Sequence, residues 1–123
     1  MQEKEATLNQ AIEGLLRILE SNGKLQWIRN NSGALPVDVA NAGNPSGPSR
    51  RRRYVRFGRR GSPDWIVMFG GTCLQVEAKA PRGRQSISQK AWQAKAERCG
   101  NHYHIVRSPD EMVCLLRSHG LLD

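Results

Sequence analysis

The segment "GSPDWIVMFGGTCLQVEAKAP", Gly61 to Pro81, contains two apolar runs separated by a pair of glycines. The runs at 65–69 and 72–79 have the length and the β-branched and aromatic content of strands. A Gly-Gly pair is favoured in a two-residue hairpin turn because glycine readily adopts positive φ. The segment therefore predicts a β-hairpin with acidic residues among its apolar positions.

The register of this hairpin follows from its turn. If the two glycines form the turn, Phe69 pairs with Thr72 and, counting away from the turn along both strands, Asp64 lies opposite Glu77. Directly opposite residues have Cβ atoms about 4.5–5.5 Å apart, so two like charges there repel. A bulge in either strand would shift this register.

One face of the predicted hairpin collects charged groups. Lys79 lies two positions after Glu77 and so projects to the same face. Two carboxylates held close favour a divalent cation, and hard oxygen ligands suit Mg²⁺ or Mn²⁺, which can activate water and polarise a phosphodiester. The alternative is an exposed hairpin with a Glu77–Lys79 ion pair and Asp64 as a turn residue. The opposite face is predicted to be core and carries Leu74, Val76 and Ala78.

The positive charge of the chain is concentrated in one run. The 123 residues have a formal net charge of +8, which favours an acidic partner. In "RRRRYVRFGRR", residues 50–60, seven of eleven positions are arginine, which binds phosphate oxygens bidentately. We therefore expect a nucleic-acid partner; a solvated basic loop or a patch for acidic lipid is the alternative. The predicted DNA-binding residues are Arg50, Arg51, Arg52, Arg53, Arg56, Arg59 and Arg60.

Residues 3–21 predict an amphipathic helix that ends at "SNG", residues 21–23. At 100° per residue its apolar side chains fall within an arc of roughly 100°. Glu5 lies inside that arc, whereas Glu13 and Glu20 lie outside it. A carboxylate on the buried face needs a partner or a metal, and the alternative places Glu5 in a solvated first turn that the helix dipole favours. The apolar residues are Leu8, Ile12, Leu15, Leu16 and Leu19.

The remaining segments predict further strands and helices. Strands are expected at 24–29, 54–57 and 102–107, and the Gly-, Pro-, Asn- and Ser-rich residues 30–49 predict a long loop. A helix over 86–100 begins with a capping box of Ser86 and Gln89. A last helix begins at "SPDE", in which Ser108 is the N-cap and Glu111 completes the box.

This order of elements predicts an α/β fold with a mixed central sheet flanked by helices. The length predicts a single domain over 1–123, with a flexible basic loop at 30–53. No apolar run reaches the roughly 18–20 residues of a membrane span, and the N-terminus lacks the apolar core of a secretory signal, so we expect a soluble cytoplasmic protein. The cysteines lack C-x-x-C spacing and are expected to be buried structural thiols.

Two further residue types have alternative roles. His102 and His104 share one face of a predicted strand, a spacing that could bind a metal or activate a nucleophile. Because no third ligand of suitable spacing is evident, surface histidines on an edge strand are the favoured interpretation. Trp27 and Trp92 are expected in the core, whereas Trp65 beside Asp64 either packs there or stacks on bases.

The motif residues resemble a known nuclease family. The step "PD" at 63–64, a short apolar strand and then "EAK" at 77–79 look like the PD-(D/E)xK motif. More narrowly, "RFGRRGSPDWIVMFGGTCLQVEAKAPRGRQSISQKAW" resembles the virus-type replication-repair nuclease (VRR-NUC) family, with its G-S-P-D step, E-x-K strand and Ser-x-x-Gln helix start. The similarity covers most of the chain outside residues 30–49, although Trp65 stands where a small aliphatic is usual.

The resemblance implies a metal-dependent endonuclease with a restriction-endonuclease-like core. By this resemblance Asp64 and Glu77 would be metal ligands, Ala78 would offer its backbone carbonyl, and Lys79 would be the catalytic lysine. Gln89 would lie near the metal or the scissile phosphate. The family also places a glutamate on its first helix, and "EATL" at 5–8 fits that spacing, which makes Glu5 a further candidate catalytic and metal-binding residue.

The expected substrate is DNA recognised by shape. Arginines address phosphates, which position DNA without specifying bases. Short members of the family resemble phage-type enzymes that resolve four-way (Holliday) junctions as homodimers, which implies a cytoplasmic role in bacteria or phage-infected cells. The rivals are a nucleic-acid-binding module without catalysis and a nuclease directed at flaps or RNA.

Overall fold

The computed structural model describes residues 2–31, 33–39 and 51–122. Its helices and strands follow in an order that agrees with the predicted α/β pattern and adds one strand. Among the described residues, no helix has the length and apolar content needed to cross a bilayer. The elements are α1 Gln2–Ser21, β1 Gln26–Arg29, β2 Gly33–Val39, β3 Arg51–Phe57, β4 Trp65–Phe69, β5 Thr72–Ala78, α2 Ile87–Arg98, β6 His102–Val106 and α3 Pro109–Ser118.

The main sheet is mixed, as predicted. Its strand order is β1-β4-β5-β6, with antiparallel pairing from β1 to β4 and from β4 to β5 and parallel pairing from β5 to β6. Helix α2 forms the crossover that a parallel pair requires. The hairpin register is the predicted one, running from Trp65↔Val76 to Phe69↔Thr72, and both turn glycines have positive φ. The next pair outward from the turn is Asp64 and Glu77.

The two faces of the sheet differ in what covers them. Helices α1 and α3 pack on the face that carries Trp65 and Val67 of β4 and the alternate apolar residues of β5 from Leu74 onward. One stripe of each helix is also apolar, so the two surfaces bury each other. Trp65 is fully buried in this core, which decides its role in favour of packing. Helix α2 lies over the opposite face, where Trp92 Nε1 donates to Gln75 Oε1 at 2.7 Å. The largest core residues are Ile12, Leu16, Trp65, Leu74, Met112 and Leu116.

A second sheet lies where a loop was expected. Strand β2 occupies part of the predicted loop 30–49 and pairs antiparallel with β3 from Gly33↔Phe57 to Val39↔Arg51. The prediction was wrong there because it followed the Gly, Pro, Asn and Ser content of the whole segment, whereas Pro36 is tolerated where a strand has no other neighbour. Within the described residues, β2 and β3 contact no other helix or strand. We call this pair of strands the basic hairpin.

Both predicted helix starts are observed, with one difference. Ser86 and Gln89 form a complete capping box at α2. At α3 the Ser108 hydroxyl accepts from the Glu111 N–H, but the Glu111 carboxylate accepts from the Arg107 N–H instead of that of the cap residue. The three cysteines are free thiols, but the expectation that they are buried was wrong, since all three are exposed. A thiol is small enough for its exposure to cost little.

Candidate active site

Asp64 and Glu77 meet at the end of the β4–β5 hairpin. Asp64 follows the rigid Pro63 and directly precedes β4, so the hairpin register carries it to Glu77 on β5. Its Oδ2 atom accepts a hydrogen bond from the Ala78 N–H at 2.9 Å. This bond fixes one carboxylate oxygen against β5 and holds Asp64 beside its neighbour in the motif.

The Glu77 carboxylate is buried, and only one of its oxygens is satisfied. The residue is 3 % exposed, although it projects to the face opposite the core positions of β5. Its Oε1 atom accepts from Gln89 Nε2 at 2.8 Å and lies 3.9 Å from Lys79 Nζ. Its Oε2 atom has no hydrogen-bond partner within the described residues. Because an unpaired buried carboxylate oxygen is costly, this atom is where a cation would be most favourable.

Helix α2 delivers Gln89 to this carboxylate. The Gln89 amide serves both as cap and as contact, since its Oε1 accepts from the Ser86 N–H at 2.9 Å while its Nε2 donates to Glu77. The start of α2 also lies very close to Gly61, whose φ is +84°. A Cβ added at Gly61 would overlap the Ser88 carbonyl. The glycine before the Ser-Pro-Asp step therefore lets the helix approach the hairpin.

Burial and charge raise the pKa of both carboxyl groups. Desolvation raises the pKa of Glu77 to about 8, and the Asp64 carboxylate adds to this while the Lys79 ammonium opposes it. Desolvation also raises the pKa of Asp64, against the Ala78 hydrogen bond and the charge of Arg29. The charge of Glu5 raises both pKa values, so α1 brings Glu5 into the same electrostatic environment. Asp64, Glu77, Lys79 and Gln89 thus lie together, and Glu5 is linked to the two carboxyl groups through its charge.

Arg29 and Glu13 also belong to the site, and the sequence did not predict them. Arg29 Nη2 lies 3.8 Å from Asp64 Oδ1, its Nη1 lies 3.5 Å from Glu13 Oε1, and its guanidinium lies 4.7 Å from the centre of the Trp65 ring. The Glu13 carboxylate also accepts from Trp65 Nε1 at 3.2 Å. The helical wheel placed Glu13 outside the apolar arc, which is consistent with this polar contact. The contacts of Arg29 follow from its pairing with Trp65 across β1 and β4, and knowledge of that pairing would have been needed to predict them.

Asn30 supports the Pro63-Asp64 step from the same strand end. Its backbone N–H donates to the Asp64 carbonyl at 2.7 Å, and its side-chain amide donates to the Pro63 carbonyl at 2.7 Å and to Ser62 Oγ at 2.9 Å. These bonds fix the backbone that carries Asp64, while the Ala78 hydrogen bond orients its side chain.

The donor set fits a hard divalent cation. Carboxylate oxygens of Asp64 and Glu77 are the ligands that Mg²⁺ and Mn²⁺ prefer, and the unpaired Glu77 Oε2 is available to such an ion. Ala78 lies between Glu77 and Lys79, where the resemblance implies a carbonyl ligand. The described residues also contain a separate group of potential ligands made of nitrogen donors, His102, His104 and His119.

The arginine run is only partly described. Arg50 lies outside the described residues, and Arg51 and Arg52 lie in β3 without described side chains. Arg53 and Arg56 are exposed on the basic hairpin, while Arg60 follows it. A pocket of about 240 Å³ lies at the base of this hairpin, lined by Arg56, Arg60 and Gly61 among others. Arg59 has a different contact, since its guanidinium lies 5.1 Å from the centre of the Trp92 ring.

Comparison of this chain with protein-family models, with curated proteins and with solved structures found no match in any of the three. What supports a function is thus the geometry of the site itself.

Proposed function

We propose that this chain is a metal-dependent endonuclease that hydrolyses phosphodiester bonds in branched DNA, with a PD-(D/E)xK core of the VRR-NUC type. The observation that carries the proposal is the pairing of Asp64 with a buried Glu77 whose Oε2 has no partner, beside Lys79 and Gln89. A site for binding alone has no use for buried carboxylates next to phosphate, because like charges repel. A site for Mg²⁺ or Mn²⁺ requires them.

Each residue has a distinct role in this proposal. Bound Mg²⁺ or Mn²⁺ would polarise the scissile phosphate and lower the pKa of an attacking water. Asp64 and Glu77 supply the negative oxygen ligands, with the Ala78 carbonyl as a further ligand. The Lys79 ammonium orients the water or stabilises charge on the phosphorane, and its position beside Glu77 Oε1 supports that role.

The rest of the site holds these groups in place. The Gln89 amide fixes the rotamer of Glu77 and can turn toward the scissile phosphate when a cation takes up the carboxylate. Glu5 lies on α1, and its charge raises the pKa of both Asp64 and Glu77. It is therefore a candidate for an additional metal contact. Arg29 restrains Asp64 through its charge and through its packing on Trp65.

The basic hairpin accounts for DNA binding in this proposal. Among the described residues it contacts no helix or strand of the main sheet, and its arginines lie shortly before Asp64 in the chain. Such an arm contacts phosphates along a backbone and selects structure over sequence. We propose a homodimer, since two symmetric sites can cut opposed strands of a four-way junction. Its expected setting is the cytoplasm of a bacterium or a phage-infected cell.

The test is cleavage of an end-labelled four-way junction beside linear duplex, flap and single strand, with Mg²⁺ or Mn²⁺ and with EDTA. The variants are Glu77→Gln, which keeps the shape of the side chain, and the matched control Glu20→Gln on the exposed face of α1. We expect metal-dependent paired cuts in the wild type and control, and a loss of at least about 100-fold in Glu77→Gln, the scale of a lost essential catalytic group.

Other outcomes have definite meanings. Binding of every substrate without cleavage under either metal would overturn the enzyme and favour a nucleic-acid-binding module. Cleavage of flaps or RNA but not junctions would keep the site and replace the substrate. Cleavage retained in Glu77→Gln would show that the acidic site is not the active site.

A further inference from the structure

The three histidines of the chain converge at one place. His102 and His104 lie on β6, and His119 is the C-cap residue of α3. The His119 ring centroid lies 5.0 Å from that of His102 and 5.5 Å from that of His104, in edge-to-face orientation. One nitrogen from each ring can be chosen so that all three atoms lie within 4.8 Å of one another. His119 is the third potential ligand that the sequence did not reveal.

This cluster lies on the other face of the sheet from the acidic site. His104 is the partner of Val76 in the parallel β5–β6 pairing, and Val76 projects into the core. Neighbouring residues in register project to the same side, so His104 faces α3. Glu77 follows Val76 and projects to the α2 side. The histidines are therefore separated from the carboxylates by the sheet, and a ligand held by one group does not share donors with the other.

One polar atom of the cluster lacks a partner. His104 Nε2 is buried and makes no hydrogen bond within the described residues. A buried imidazole nitrogen without a partner is costly, so an unpaired one needs an explanation. Burial, followed by the neighbouring His119 and His102, lowers the pKa of His104, against a smaller effect of Glu97. The neutral imidazole is the form that donates a lone pair to a metal.

We propose that His102, His104 and His119 bind one borderline divalent transition-metal ion, of which Zn²⁺ is the natural example, with a fourth position open to water. Imidazole suits Zn²⁺, Co²⁺ and Ni²⁺, whereas Mg²⁺ prefers oxygen. Tetrahedral zinc with bonds of about 2.0–2.1 Å sets its ligand nitrogens about 3.4 Å apart. The ring nitrogens must approach by up to about 1.4 Å, which side-chain rotations supply.

A metal bound by the three histidines would join two elements of the fold and so stabilise it. His102 and His104 lie on the outer strand of the described main sheet, and His119 ends the helix packed beside it. A metal held by all three would link β6 to the C-terminus of α3. Because an ion that binds only the folded chain stabilises it by mass action, Zn²⁺ should raise the melting temperature even where the acidic site is inactive.

The experiment uses the full chain without a histidine tag, stripped of metal, and observes the imidazole nitrogens by NMR during addition of Zn²⁺. We expect all three imidazole resonances to shift together and saturate at about one equivalent, and Tm to rise by about 5 °C or more. Co²⁺ should give the visible absorption of a tetrahedral site. Glu77→Gln should bind as the wild type does, which separates this site from the proposed nuclease centre.

Matched variants identify the ligands. His104→Gln and His119→Asn should each lose at least about 10-fold in Zn²⁺ affinity, while Cys73→Ser, Cys99→Ser and Cys114→Ser combined should not. If saturating Zn²⁺ leaves the imidazole resonances of the wild type unmoved, the proposal fails without reference to any variant. It also fails if the histidine variants bind equally or if the cysteine-free variant loses binding.

Discussion

Gln89 Nε2 donates a hydrogen bond of 2.8 Å to Glu77 Oε1, and this bond joins the start of α2 to the central strand of the site. The orientation of the amide is determined chemically, because its oxygen faces the Ser86 N–H, which can only donate, and its nitrogen faces a carboxylate. Gln89 therefore both caps a helix and sets the rotamer of the buried acid.

Gln89→Glu should separate these two roles. A glutamate at this position still completes the capping box, but it places a second carboxylate against Glu77 and removes the donor. We expect helix content by circular dichroism to stay unchanged while cleavage at limiting Mg²⁺ falls about 10–100-fold, with partial recovery at higher Mg²⁺. Gln10→Glu, on the exposed side of α1, is the control for added charge. Full activity of Gln89→Glu at every Mg²⁺ concentration would contradict the positioning role.

The stability of the metal-free protein should depend on pH through Glu77. Its pKa is raised from 4.5 to about 8 in the folded state, so the folded chain holds a proton that the unfolded chain releases. This stabilisation is complete below pH 4.5 and is lost as pH rises toward 8. In EDTA, the free energy of unfolding measured with urea should fall by on the order of a few kcal/mol between pH 5 and pH 8.5 because of this group.

Glu77→Gln should flatten that profile, whereas Glu20→Gln, on an exposed position, should leave it unchanged. Addition of Mg²⁺ at pH 8 should restore stability to the wild type and not to Glu77→Gln. An identical pH profile in all three proteins would show that Glu77 titrates normally.

Gly61→Ala should be more damaging than a matched change at Gly100. The two glycines have φ of +84° and +79°, but a Cβ at Gly61 meets the Ser88 backbone while one at Gly100 meets nothing within 4 Å. We expect Gly100→Ala to cost about 1–2 kcal/mol, the strain of a left-handed residue. Gly61→Ala should cost at least about 2 kcal/mol more and displace Gln89, measured by thermal unfolding and by loss of cleavage. Equal unfolding temperatures would show that α2 does not need the close approach.

Arg53 and Arg56 should contribute to the salt dependence of DNA binding. Both are exposed on the basic hairpin. If each contacts one phosphate, replacing both by glutamine should reduce the slope of log K against log salt by about 2. The control removes two exposed cations elsewhere, Lys24→Gln and Arg98→Gln. A slope that falls equally in both double variants would assign the effect to net charge instead of to the hairpin.

Local sequence was sufficient to predict those features of the fold that depend on contacts between near neighbours in the chain. The Gly-Gly turn predicted the register that brings Asp64 beside Glu77, because a two-residue turn fixes every later pair in a hairpin. Ser86 and Gln89 predicted the start of α2 for a similar reason. The periodicity of α1 predicted its buried face, which carries Leu8, Ile12 and Leu16. In each case the determining contacts lie within a single turn, helix or hairpin.

The tertiary structure alone decided the rest. It paired β1 with β4, which brought Arg29 to Asp64 and Trp65, and it packed α3 beside β6, which brought His119 to His102 and His104. It also paired β2 with β3, although local composition favoured a loop. Packing of distant elements depends on the shape and burial of whole surfaces, which no short window of sequence contains. The chain itself therefore determined its acidic hairpin and its helix caps, and the fold decided which distant side chains surround them.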